Sequence, residues 1–183
     1  MRRTAAALLF LLAAAAGACS GSGRDEAGPT TRAGSPPASI LLITLDTTRF
    51  DAIGPGAKGV RTPAFDRLAA RGRRYTQAYA TVPETLPSHA SMLTGLYPAG
   101  HGVHENARFL ADVHPLASER LAAAGYETSA FVSSFVLSRR FGLARGFNRY
   151  DDELPAGEAE RSSSQTADRA IAYLSSAAAK PQF

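Results

Sequence analysis

The run Ser39-Ile-Leu-Leu-Ile-Thr-Leu45 ends abruptly at Asp46. A continuous apolar stretch of this length reads as a strand buried on both faces, as in a parallel sheet covered by helices. Further along the chain, Thr62-Pro63 predicts a helix start, with Thr62 as N-cap and Pro63 at the first helical position. Phe65, Leu68 and Ala69 recur at helical spacing, and Gly72 closes that helix. Arg74–Tyr79 reads as a short strand and Leu86–Leu93 as a helix. Pro115–Ala124 is a further helix stopped by Gly125, and Thr128–Val132 is a second buried strand. Gln165–Ala178 closes as a helix with Ala167, Ile171 and Leu174 on one face. Strands alternating with helices predict an α/β fold, a mostly parallel sheet with helices on both faces. No internal repeat interrupts the pattern. Ligands of such sheets gather at the carboxyl ends of the strands, where Asp46 stands.

Upstream of the first strand the chain reads as an address. Residues 1–18 carry Arg2 and Arg3, an apolar run Ala5–Ala16, then Gly17 and Ala18. This is a secretory signal pattern, too short to span a bilayer. Cys19 follows where a bacterial lipoprotein signal places its lipidated residue, and Ala16-Gly17-Ala18-Cys19 resembles a lipobox with Ala16 in the usual Leu position. A cleaved signal with an incidental cysteine is the competing reading. Residues 20–38 are rich in Gly, Ser, Thr and Pro and lack apolar periodicity, so 19–38 reads as a lipidated cysteine and flexible tether. The expectation is an exported protein of the bacterial cell envelope, membrane-associated through its lipid anchor.

Composition narrows the classes. The 183 residues suit about one domain, and 45% hydrophobic content excludes a generally disordered chain. One cysteine excludes an intramolecular disulfide framework and a Cys-based zinc site. The net charge of +4 is carried by scattered arginines, with lysine only at 58 and 180. Removing Arg2 and Arg3 with the signal leaves 18 basic against 16 acidic side chains. Nucleic acid is not expected as a partner.

Three segments carry chemistry. Asp46, a carboxylate at a strand end, suits a hard cation, or it caps a turn. Thr85 opens a helix within Val82-Pro-Glu-Thr-Leu-Pro-Ser-His-Ala-Ser-Met-Leu-Thr-Gly-Leu-Tyr-Pro98. Backbone N–H groups and the positive dipole end there favour a phosphate or sulfate group. A hydroxyl becomes a nucleophile only when a base or metal lowers its pKa, so Thr85 is either that nucleophile or a helix cap. In His101-Gly-Val-His-Glu-Asn106, the Asn106 amide suits donation to a nonbridging oxygen, or it is a turn residue. Asp151-Asp152 reads as a solvated acidic turn rather than the metal-binding pair it invites, and His114, before Pro115, as a turn residue.

Four ordered segments, Ile40–Arg49, Thr62–Leu68, Thr85–Gly95 and His101-Gly-Val103, resemble the N-terminal half of a sulfatase-family enzyme of the alkaline phosphatase superfamily. The resemblance runs from about residue 39 to the end. Sulfatases open this helix with Cys (or Ser)-x-Pro-Ser-Arg, and Thr85-Leu-Pro87-Ser88-His89 occupies that motif here. Threonine cannot be oxidised to the formylglycine aldehyde. A metal-activated threonine is what phosphodiesterase and phosphoglycerol-transferase relatives use, and the spacing of Thr85 and Asn106 matches the phosphodiesterase and phosphonate-hydrolase relatives. His89 replaces the motif arginine and removes its fixed positive fork. Thr47 stands where many sulfatases carry a second metal-binding Asp.

The resemblance implies a divalent metal (Ca, Mg, Mn or Zn) held in part by Asp46 and Thr85, with Thr85 as nucleophile on a sulfate or phosphate ester. Asn106 would steady an equatorial oxygen, and His89 would contact the leaving group or substrate anion, or serve structurally. His101 and His104 match the family's His-Gly-Val loop and are either ligands or structural. The family's second ligand cluster comes from further downstream, so residues 39–183 are expected to be the front part of a longer catalytic domain and inactive alone. Two other readings remain open. One is a non-catalytic lipoprotein binding an anionic glycan or lipid headgroup, and the other is an unrelated α/β domain with chance motif matches.

Overall fold

The computed structural model describes residues 37–177 and 180–183. The signal segment, Cys19 and the tether through residue 36 lie outside the described residues. Among these residues five α-helices form: α1 (Pro63–Arg71), α2 (Thr85–Thr94), α3 (Pro98–His101), α4 (Ala117–Ala123) and α5 (Ser163–Ser176). Single 3₁₀ turns occur at Phe50–Ala52, Phe135–Leu137 and Arg139–Phe141. Strands β1 (Ser129–Phe131) and β2 (Arg149–Asp151) pair in parallel, with Ser129 opposite Arg149 and Phe131 opposite Asp151. This is an α/β arrangement with a parallel sheet, as the alternation of elements predicts.

The helix ends follow local chemistry. Pro63 starts α1, because its missing N–H is one the first turn leaves unpaired anyway. The expected cap is absent: the Thr62 hydroxyl instead accepts from the Gly54 N–H at 2.8 Å and ties the preceding loop to the helix. α2 stops at Gly95, whose left-handed φ of 74° returns its N–H to the Ser91 carbonyl at 2.9 Å. At α5, Ser162 and Gln165 form a reciprocal capping box.

The hydrophobic core gathers behind α2. Leu86 and Ala90 from that helix meet Val103, Leu110, Leu116, Leu137, Phe141 and Leu143. A fully buried leucine contributes about 2 kcal/mol, so Leu86 anchors the first turn of α2 directly beside Thr85.

Two expected strands do not form. Residues 39–45 are extended but outside any sheet, with Leu41 71% and Ile43 69% exposed. An extended segment becomes a strand only when a neighbour completes its ladder. Here the Ile40 N–H reaches the Gln182 carbonyl at 2.8 Å, and no further backbone rung follows among the described residues. Residues 74–79 are irregular, with Tyr75 and Tyr79 exposed. The face Ala167, Ile171 and Leu174 of α5 is likewise not buried.

Pro181–Phe183 lies alongside the start of β1. Gln182 bridges Glu127 in parallel, the Glu127 N–H reaches the Pro181 carbonyl and the Phe183 N–H returns to Glu127, each at 2.9 Å. The Phe183 ring stacks on Phe147 with centroids 6.0 Å apart. The backbone order across this layer is thus residue 40, 182, 127–131 and β2.

Asp151-Asp152 departs from the expected solvated turn. Asp151 is buried and bonded to Arg161 at 2.6 Å and Arg169 at 3.2 Å, while Asp152 takes Arg139. Burial pushes the Asp151 carboxyl up, but the guanidinium bonds hold it net below the usual carboxylate range. These partners stand 10 to 18 positions away, where no motif marks them.

Candidate active site

The site forms where the end of the 39–46 segment meets the first turn of α2 and the loop after α3. Thr47 adopts a left-handed φ of 51°, which costs a residue with a Cβ about 1–2 kcal/mol and is rare for a β-branched one. That turn lets the Thr47 N–H donate to Asp46 Oδ1 at 2.8 Å. Asp46 Oδ2 is left to accept the Thr85 hydroxyl at 2.7 Å, across 39 positions of sequence.

Asn106 is joined to the same helix start. The Leu86 N–H donates to Asn106 Oδ1 at 2.9 Å. Because the backbone group is a donor, the amide atom facing it is the oxygen, and Nδ2 keeps both its protons for another acceptor. The α2 terminus therefore differs from the open ring of N–H groups expected there. Leu86 has spent its N–H on Asn106 and Pro87 has none, which leaves the Asn106 amide protons available beside the helix start.

Two residues that the sequence reading passed over hold this arrangement. Glu84 Oε2 accepts the Asn106 N–H at 2.8 Å, fixing the loop on which Ala107 takes a φ of 61°. A carboxylate just before a helix reads as a cap; here it reaches a loop 22 positions on instead. Thr44 Oγ1 lies 3.0 Å from His89 Nε2, while His89 Nδ1 lies 2.8 Å from the Thr85 carbonyl. Both ring nitrogens of His89 are thereby engaged by protein atoms.

The other histidines divide. His101 is buried, its Nδ1 accepting from the Val103 N–H at 3.2 Å, which places the proton on Nε2 facing Ser91 Oγ at 2.9 Å. Burial, reinforced by nearby His104 and His114, holds its pKa below the ordinary imidazole value. His104 is exposed and makes no bond to the site.

This predicts a pH dependence of stability. The unfolded ring takes up a proton below about pH 6.5, while the folded ring resists it until a lower pH. Stability should be fully present above about pH 6.5 and fall as pH drops toward the folded pKa. Urea unfolding between pH 7.5 and 5 checks this; a profile unchanged by His101→Gln would contradict it.

Asp46 and Thr85 offer two convergent hard oxygens, the donor type a divalent cation prefers. Among the described residues, no group of three or more His, Cys, Asp or Glu is placed to hold a metal ion. In donor chemistry the pair is compatible with a divalent cation, of whose ligands it would be a part.

Comparison with known proteins now bears on this geometry. The sulfatase family model matches residues 38–183. The chain is 41% identical over 83 residues to steryl-sulfatase of Mus musculus, covering 45% of this chain and 13% of that protein. It is 33% identical over 105 residues to an arylsulfatase of Clostridium perfringens, covering 56% of this chain and 22% of the relative. It is 51% identical over 62 residues to an N-acetylgalactosamine-6-O-sulfatase of Bacteroides thetaiotaomicron, covering 34% and 12%. The chain thus spans less than a quarter of the length of these relatives.

Proposed function

The chain belongs to the sulfatase family, and from that premise we propose that it forms the nucleophile-bearing part of an exported, metal-dependent hydrolase of sulfate or phosphate esters, with Thr85 as nucleophile. The observation that carries this reading is the 2.7 Å bond from the Thr85 hydroxyl to Asp46, at a helix start whose Leu86 N–H orients Asn106.

Each residue has a role. Asp46 and Thr85 would hold the divalent cation, whose charge lowers the pKa of a bound hydroxyl. Asp46 Oδ2 is the acceptor within hydrogen-bond reach of the Thr85 proton. Thr85 Oγ1, its proton passed to Asp46 Oδ2, attacks sulfur or phosphorus in line, forming a new ester bond as the bond to the leaving alcohol oxygen breaks; that oxygen takes a proton from solvent. Asn106 Nδ2 donates to a nonbridging oxygen as its charge grows. His89 borders the nucleophile within the same first turn. Water then cleaves the Thr85 ester, releasing the inorganic anion and restoring the hydroxyl. A transfer to an acceptor alcohol follows the same two steps.

Threonine at position 85 favours this route, because it reacts as an alkoxide without an aldehyde. The metal-loaded complete gene product should cleave aryl sulfate or aryl phosphate esters, whereas residues 1–183 alone should show no metal-dependent turnover. Anion binding by the complete product without any turnover would instead favour a non-catalytic binding module. The lipidated Cys19 and membrane anchoring belong to the same proposal; radiolabelled palmitate incorporation that Cys19→Ala abolishes would support them.

A further inference from the structure

We propose that Thr44 and the His89 ring form a clasp that positions Asp46 against the Thr85 hydroxyl, so that His89 acts through this pair as a positioning residue. The inference rests on the reading of Asp46 and Thr85 as the reacting pair.

Residues 41–48 are poorly held by the rest of the chain. Their backbone makes no hydrogen bond to a distant described residue, and the apolar side chains of 41–45 are largely exposed. Among the described residues, two long-range side-chain bonds tether this segment: Thr44 to His89, and Asp46 to Thr85. A single bond between a carboxylate and a hydroxyl, both partly in solvent, competes with bonds from each group to water. Thermal motion would therefore separate Asp46 from Thr85 often. A second tether two residues away makes the two bonds cooperative.

The chemistry of the ring makes this tether directional. The Thr85 carbonyl only accepts, so His89 Nδ1 carries a proton. In the neutral ring, Nε2 is then an acceptor and the Thr44 hydroxyl is its donor. The imidazole thus spans from the backbone of the nucleophile to the residue two before the carboxylate. It clamps the two ends whose side chains must meet.

The test uses the 183-residue chain labelled with ¹⁵N. At fixed neutral pH, His89 should be found in the Nδ1–H tautomer with Nε2 hydrogen-bonded, and the Asp46 amide should have an order parameter near about 0.85. Thr44→Val should remove the Nε2 hydrogen-bond shift and lower the Asp46 order parameter below about 0.6, while Thr44→Ser restores both. Unchanged amide shifts at Leu86 and Val103 would exclude general unfolding as the cause. A Thr44→Val protein indistinguishable from wild type, or a Thr44→Ser protein resembling Thr44→Val, would overturn the clasp. Added Mn²⁺ separates this from the parent reading. Broadening of Asp46 and Thr85 signals that weakens in Thr44→Val supports both. An intact clasp with no Mn²⁺ broadening supports the positioning role and overturns the metal site.

Discussion

Thr85→Ala in the complete gene product is expected to lower turnover of aryl esters by on the order of 10⁴-fold or more, without loss of folded protein. Removing a covalent nucleophile eliminates the two-step route, and what survives reflects binding and charge stabilisation alone. Thr85 is half-buried at the helix start, and its side chain contributes one bond, to Asp46. Its truncation should therefore cost little stability. Asn106→Ala provides the graded comparison, with a loss of about 10²–10³-fold, the range for one donor to a developing oxyanion. Thr85→Ser should retain a substantial share, since a primary hydroxyl occupies the same place. Full activity in Thr85→Ala would end the nucleophile assignment.

The second large effect is on stability. Arg161→Ala should destabilise the fold by about 3–5 kcal/mol, a large part of the 5–15 kcal/mol that a typical domain has. The Arg161 and Asp151 side chains are only 1% and 4% exposed, and Nη1 lies 2.6 Å from Oδ1. Arg161 also bonds Thr166 Oγ1 and the carbonyls of Asp151 and Glu153, so its loss opens several buried acceptors at once. Arg169 and Arg149 still face Asp151 but are about half exposed and cannot fill the space. Exchanging Asp151 and Arg161 together for leucine and methionine should recover part of the loss, because an apolar pair leaves no buried charge alone. Urea titration measures the series; a change below about 1 kcal/mol in Arg161→Ala would show that the pair is not structurally important.

The helices were the most legible part of the sequence. α1 and α2 begin within one residue of their expected positions, because Pro63, Pro87 and Gly95 act through the backbone alone. β1 was also legible, since Thr128–Val132 brackets Ser129–Phe131. The 39–45 run was not: its apolar character signals burial, but a strand also requires partners, and local composition cannot supply them. β2 escaped notice because Arg149-Tyr-Asp151 is short and polar, and its place is set by pairing and by distant arginines.

The candidate site shows the same division. Asp46, Thr85, Asn106 and His89 were each visible as motif residues, and they do converge. Glu84 and Thr44 were invisible because their partners lie 22 and 45 positions away, and hydroxyls and carboxylates carry no periodic signal. His101 shared its motif with Asn106, yet its ring faces the core, a distinction that only packing determines.

The most direct measurement is acid-quench mass spectrometry of the metal-loaded complete gene product reacted with an aryl phosphate or aryl sulfate ester. The account predicts a covalent phosphoryl or sulfuryl group on the peptide carrying Thr85, absent from Thr85→Ala. An active enzyme whose adduct lies on another residue, or whose rapid quench yields product with no adduct and no burst, would contradict it.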